Sequence, residues 1–177
     1  IAEKNFELIE SIVKGIKELQ SQDVNAECIK IVKRENRNLE APFRNWFKTF
    51  FASKYDYVNS EPEKGNGRID LKIEDSKLGT VIIEFKGWWN NDKKQVISQI
   101  SSYLTDFESE GFIIIINNKH SDINDEYFKL IKSETTHYLE NSYEEVLYKN
   151  TEYRYFKSRH KDGIRTKTLY HFILNVY

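Results

Sequence analysis

Three charged residues stand where the chain otherwise reads as buried β-strand: Asp70 in RIDLKI, and Glu84 and Lys86 in IIEFK. Side chains two residues apart on a strand share a face, so Glu84 and Lys86 project together while Ile83, Phe85 and Gly87 turn away. Adjacent antiparallel strands would bring Asp70 into the same place. Two carboxylates and the backbone carbonyl of Phe85 are hard oxygen donors of the kind that hold Mg²⁺ or Mn²⁺, with several waters retained on the ion. A lysine there can orient or activate the water and offset charge developing on a phosphate. Metal-assisted hydrolysis of a phosphodiester uses all three residue types. Taken alone, Glu84 and Lys86 read better as a surface ion pair; Asp70 before them and the helix after them reverse that preference.

The elements that must position these groups follow from periodicity. Phe6, Ile9, Val13, Ile16 and Leu19 recur at helical spacing, predicting a docking helix near the amino terminus. A second helical patch spans about Ala26 to Arg34. A third helix begins near Asn38, its expected cap, with Pro42 in the first turn and a stripe of Phe43, Trp46, Phe47, Phe50 and Phe51. The period then shortens to that of strands near Tyr55 to Asn59, Arg68 to Glu74 and Thr80 to Gly87, with a turn at Gly65-Asn66-Gly67. Helical spacing returns from Asp92 to Phe107 and is followed by GFIIIINN, the most apolar run of the chain. A helix between two strands implies a right-handed crossover, with Ile113 to Ile116 parallel to another strand. DINDEYFKLIKS predicts a further helix and ENSYEEVLYKN another short one. Two aromatic runs around Lys161-Asp162-Gly163 predict a β-hairpin. The fold class is α/β: an αβββαβ core with a mixed central sheet flanked by helices, an amino-terminal helical extension and a carboxy-terminal hairpin. One domain over residues 1–177 is expected, divided into extension (1–37), core (38–117) and elaboration (118–177).

Asp70 followed by Glu84-Phe85-Lys86 resembles the PD-(D/E)XK nuclease superfamily, whose metal site is an Asp and then a strand carrying Glu-X-Lys. Ile69 stands where a proline often precedes the Asp. Gln99-Ile-Ser-Ser-Tyr103 resembles the Gln-X-X-X-Tyr element of RecB-like members, and Glu40 their acidic residue on the first core helix. The resemblance covers roughly Asn38 to Asn117. It implies a restriction-endonuclease-like core, a site of Asp70, Glu84 and Lys86 served by Mg²⁺ or Mn²⁺, and Glu40 on the metal directly or through water. It also implies that Gln99 and Tyr103 steady the site or contact the nucleic-acid backbone. As residues alone, Gln99 and Tyr103 read equally as a helix-edge hydrogen bond and a core-rim tyrosine, and Glu40 as a carboxylate favouring a helix amino terminus.

Other residues suit the same task. Trp88 continues the Glu84 face and is expected in the cleft, where an indole can stack on a base. Arg68 and Arg44 can neutralise phosphate or pair with the carboxylates. Between Lys149 and Lys167 the chain gathers Arg154, Lys157, Arg159, Lys161 and Arg165 among aromatics, either a nucleic-acid contact or a solvated hairpin.

Composition sets the bounds. The 177 residues carry 27 basic and 28 acidic side chains, so a nucleic-acid footprint must be local. One cysteine, Cys28, excludes an intrachain disulfide framework and fits a cytoplasmic location. No apolar run approaches the roughly 20 residues of a membrane span. His120, His137, His160 and His171 are too scattered for metal-ligand spacing, and no glycine-rich phosphate loop stands in the chain. A start at Ile1 and no methionine suggest a piece of a longer protein. The reading is a DNA endonuclease, placed before RNA cleavage, as an effector in restriction or anti-phage defence, with homodimerisation or fusion to an ATPase or sensor domain as settings. The alternative is an inactive nuclease-fold module that binds nucleic acid or a partner protein.

Overall fold

The computed structural model describes residues 5–22, 27–60, 63–64, 67–133 and 137–177. Among them are five helices: α1 (Phe6–Gln22), α2 (Glu27–Lys33), α3 (Ala41–Ala52), α4 (Val96–Tyr103) and α5 (Asn124–Ser133). The strands are β1 (Tyr57–Ser60), β2 (Glu63–Lys64), β3 (Gly67–Arg68), β4 (Leu71–Asp75), β5 (Gly79–Gly87), β6 (Glu110–Asn117), β7 (Glu144–Leu147), β8 (Arg154–Asp162) and β9 (Arg165–Asn175). Seven strands form one mixed sheet in the order β1-β4-β5-β6-β9-β8-β7, and β2 pairs with β3 apart from it. β6 runs parallel to β5 on one side and to β9 on the other. The remaining pairs of the large sheet are antiparallel.

β6 is buried along nearly its whole length, as expected of a strand covered on both faces. One face of the sheet, with Ile83, Phe85, Ile114 and Phe172, packs against α1, α2 and α3 through Leu8, Ile12, Ile29, Phe43 and Phe47. The other, with Ile82, Ile113, Ile115 and Leu169, packs against α4 and α5 through Ile97, Ile100, Tyr127 and Ile131. Apolar positions at i, i+4 and i+8 on α3 (Phe43, Phe47 and Phe51) are fully buried, so that stripe is core as its spacing implies. None of the described helices is long and apolar enough to cross a membrane.

Several local expectations are revised. ENSYEEVLYKN contains strand β7, paired with β8, and not a helix. Asn141 and Lys149 bracket it with φ of 61° and 48°, conformations that end a helix rather than continue it. α4 stops at Tyr103, because Leu104 is extended and the Glu108 carboxylate accepts the Thr105 N–H at 2.8 Å. Phe107, expected on the helix stripe, is therefore 94% exposed. Asn38 does not cap α3; its Oδ1 accepts a hydrogen bond from Asn118. The hairpin forms where Asp-Gly predicted it, closing at Asp162 and Arg165 with Gly163 at φ 59°, which glycine adopts without penalty. Its second strand is not an appendage, since β9 lies beside β6 in the middle of the sheet. Gly65 and Asn66 of the expected turn, residues 1–4 of the expected extension and Ala26 of the second helical patch lie outside the described residues.

Candidate carboxylate site

The site forms where β4 and β5 part. Pairing between them starts at Leu71 opposite Ile83, so beyond Ile83 the β4-side edge of β5 meets no strand among the described residues. Two carboxylates take over. Asp70 Oδ2 accepts the Phe85 N–H at 2.9 Å, and Glu40 Oε1 accepts the Gly87 N–H at 2.7 Å. A strand residue presents its N–H and C=O on the same edge, so the Phe85 carbonyl is directed toward Asp70 as well.

Glu84 sits on the α4 face, only 1% exposed. Its Oε1 accepts the Asp70 N–H at 3.2 Å and its Oε2 the Gln99 amide at 3.2 Å. Burial, with the negative charge of Asp70 as the next cause, pushes the Glu84 carboxyl up to about 9. Desolvation disfavours the carboxylate, and a like charge adds to it. The Asp70 N–H opposes part of that rise, since its bond to Glu84 Oε1 favours the carboxylate.

Asp70 is held from the other side by α3. Arg44 Nη1 lies 2.9 Å from Asp70 Oδ1 in a mostly buried ion pair. Lys86 follows on the Glu84 face, its ammonium 3.3 Å from Asp92. Asp92 belongs to the loop after β5, which Glu40 fastens by accepting from Asn90 as well as from Gly87. Burial raises the Glu40 carboxyl above its ordinary value, and the Gly87 N–H draws it back down. Tyr103, one turn beyond Gln99, donates to the Arg68 carbonyl at 2.9 Å, and burial raises its phenol. A Cβ on Gly67 would lie 2.5 Å from that hydroxyl, so only glycine admits the ring.

The structure thus brings together Asp70, Glu84, the Phe85 backbone, Lys86, Gln99 and Tyr103, with Arg68 entering through its carbonyl. Glu40 is adjacent but does not complete a cluster: among the described residues no group of three or more His, Cys, Asp or Glu side chains is placed to hold a metal ion. Its carboxylate stands in for a missing strand partner. Asp70, Glu84 and the Phe85 carbonyl are the oxygen donors that could hold a hard divalent ion, with waters completing its shell.

Trp88 is a correction. It shares the Glu84 side, as alternation requires, but is 4% exposed and packs edge-on against Tyr127 of α5 at 6.1 Å. Its indole is core and not a stacking surface. The hairpin cations also stand away from the site. Phe156 pairs with His171, which pairs with Ile113 opposite Glu84, so even-numbered residues of β8 share the Glu84 face. Lys157, Arg159 and Lys161 alternate to the opposite face and do not line the carboxylate cleft. Arg154 pairs with Glu145, and Arg165 with Asp106 and Asp162. Asn90 and Asp92 were missed in the sequence. Their one signal was a polar Asn-Asn-Asp run that follows the charged strand after two tryptophans.

Fold and site together define a mixed α/β protein with a buried carboxylate pair and a lysine at the end of a central strand. The chain belongs to the family described as a domain of unknown function, DUF8371, whose model matches residues 7–120, a span that includes every residue of the site. No curated protein and no solved structure matches the chain.

Proposed function

We propose that this protein is a metal-dependent nuclease of the PD-(D/E)XK kind, an endonuclease acting on DNA. The observation that carries the reading is the Asp70–Glu84 pair: Asp70 immediately before β4 and Glu84 on the antiparallel β5 meet where the strands diverge, the Glu84 carboxylate accepting the Asp70 N–H, with Lys86 on the Glu84 face. The order α3, β1, β4, β5, α4, β6, with β6 parallel to β5, supports a restriction-endonuclease-like core. An effector role in restriction or anti-phage defence, joined to an ATPase or sensor domain, suits such an activity.

Asp70, Glu84 and the Phe85 carbonyl would hold Mg²⁺ or Mn²⁺, which when bound polarises the phosphodiester and lowers the pKa of water. Gln99 fixes the Glu84 carboxyl through Oε2. Asp92 aims the Lys86 ammonium, which orients the attacking water and balances charge gathering on the phosphate. Arg44 restrains Asp70 from the α3 side.

The test is a panel of duplex DNA, single-stranded DNA and RNA, with and without Mn²⁺, beside Lys86→Ala. Cleavage of DNA that depends on Mn²⁺ and falls about 100-fold or more in the variant is expected. Full activity of Lys86→Ala overturns the proposal.

A second reading has its own observation. Both Asp70 oxygens and Glu40 Oε1 already satisfy neighbouring groups, a structural task that a non-catalytic module binding nucleic acid or a partner protein would also need. Calorimetry separates the two: no Mn²⁺ binding together with retained DNA binding selects the module.

A further inference from the structure

The buried indole of Trp88 gathers two ammonium groups. Lys93 Nζ lies 4.9 Å from its ring centroid and Lys119 Nζ 5.9 Å, both within cation–π range. The ring is held in place: the Trp88 backbone N–H donates to the Ile116 carbonyl at 2.9 Å, continuing the pairing of β5 with β6, the indole is buried, and Tyr127 packs against it. Lys93 also donates to the Asn90 carbonyl, in the loop that Glu40 fastens, and follows Asp92, the partner of Lys86. Lys119 comes two residues after the end of β6, the parallel neighbour of β5. Its pairing with Glu126 at 3.8 Å joins two half-exposed side chains and holds it weakly.

We infer that Lys93 and Lys119, seated on Trp88, are the phosphate-binding rim of this site, and that nucleic acid crosses the carboxyl ends of β5 and β6 rather than the β8–β9 hairpin. The inference rests on the nuclease reading and names the substrate path for it. In open α/β sheets ligands gather outside the carboxyl ends of the strands, and here that end carries Lys86, Lys93 and Lys119 together. Three strand spacings separate β8 from β5, roughly 14 Å, and Lys157, Arg159 and Lys161 project from the far face. Trp88 serves by holding cations in place and not by stacking on bases. That accounts for an aromatic that is buried yet adjacent to the site.

The experiment measures binding of a labelled DNA duplex by fluorescence anisotropy in EDTA, where no metal-dependent cleavage intervenes. Lys93→Gln with Lys119→Gln should weaken binding about tenfold at ~100 mM salt and flatten the dependence of log K on log salt by about two. Lys157→Gln, Arg159→Gln and Lys161→Gln together should change affinity less than about twofold. In the wild-type protein, bound DNA should shield Lys93 and Lys119 from an amine-reactive label read by mass spectrometry, which keeps the test open if the double variant does not fold. Loss of binding in the hairpin variant, or shielding of Lys157 and Lys161 instead, overturns the inference alone. A wild-type protein that binds no DNA even at low salt overturns the nuclease reading with it.

Discussion

Replacing Glu84 by glutamine should stabilise the protein, by an amount that grows with pH. In the native state burial and the charge of Asp70 raise the Glu84 carboxyl from 4.5 to about 9. In the unfolded chain the same group ionises near 4.5, so between those values the folded form binds the extra proton and stability falls as pH rises. The Glu84 contribution is whole below pH 4.5 and lost as pH climbs through about 9. Two buried histidines act in the opposite sense. Burial lowers His160 to about 4 and His171 well below 6.5, so their contribution is whole above pH 6.5 and lost as pH falls. The clean window is therefore pH 6.5 to 9, where each pH unit is worth about 1.4 kcal/mol and the whole span about 3 kcal/mol. Glutamine can keep the bond from the Asp70 N–H through its oxygen, provided the Gln99 amide turns over to accept from its nitrogen; an imperfect fit costs about 1 kcal/mol at every pH. Urea unfolding of both proteins in EDTA at several pH values across the window gives the difference directly, with other titrations common to both. A gap that widens by about 3 kcal/mol is expected; parallel stability curves would refute the reasoning.

Two further outcomes follow from buried groups away from the carboxylates. Trp88→Ala removes a core indole and should cost about 3–5 kcal/mol in urea unfolding, whereas an exposed base-stacking residue would cost under about 0.5 kcal/mol. Ser158 Oγ lies 2.7 Å from His160 Nε2 and 2.7 Å from His171 Nε2, and His171 Nδ1 meets the Tyr127 hydroxyl at 2.7 Å. Ser158→Ala leaves both ring nitrogens buried without that partner and should cost about 1–3 kcal/mol, read by chemical denaturation at pH 7; a loss below about 0.5 kcal/mol would mean the chain of bonds contributes nothing.

The Glu84–Lys86 pair was legible in the sequence because the two-residue period of a strand is local: the two must share a face whatever surrounds them, whereas Asp70 reaches Glu84 only through the pairing of β4 with β5. The helix of Phe43, Phe47 and Phe51, the β6 run and the Asp-Gly turn were legible for the same reason, since each is written in spacing or in backbone preference over a few residues. Tertiary structure decided what covers a face and what meets across it. Alternation put Trp88 beside Glu84, but α5, starting 36 residues later, buried it under Tyr127. Hairpin signals found β8 and β9, yet only the pairing of β9 with β6 showed that Lys157, Arg159 and Lys161 leave on the far side. Arg44 meets Asp70, and Ser158 links two histidines that had looked scattered, because the chain returns from a distance to the same point. Local periodicity carries no information about such returns; they are set by which strands pair and in what register, where a slip of one residue turns every side chain to the other face.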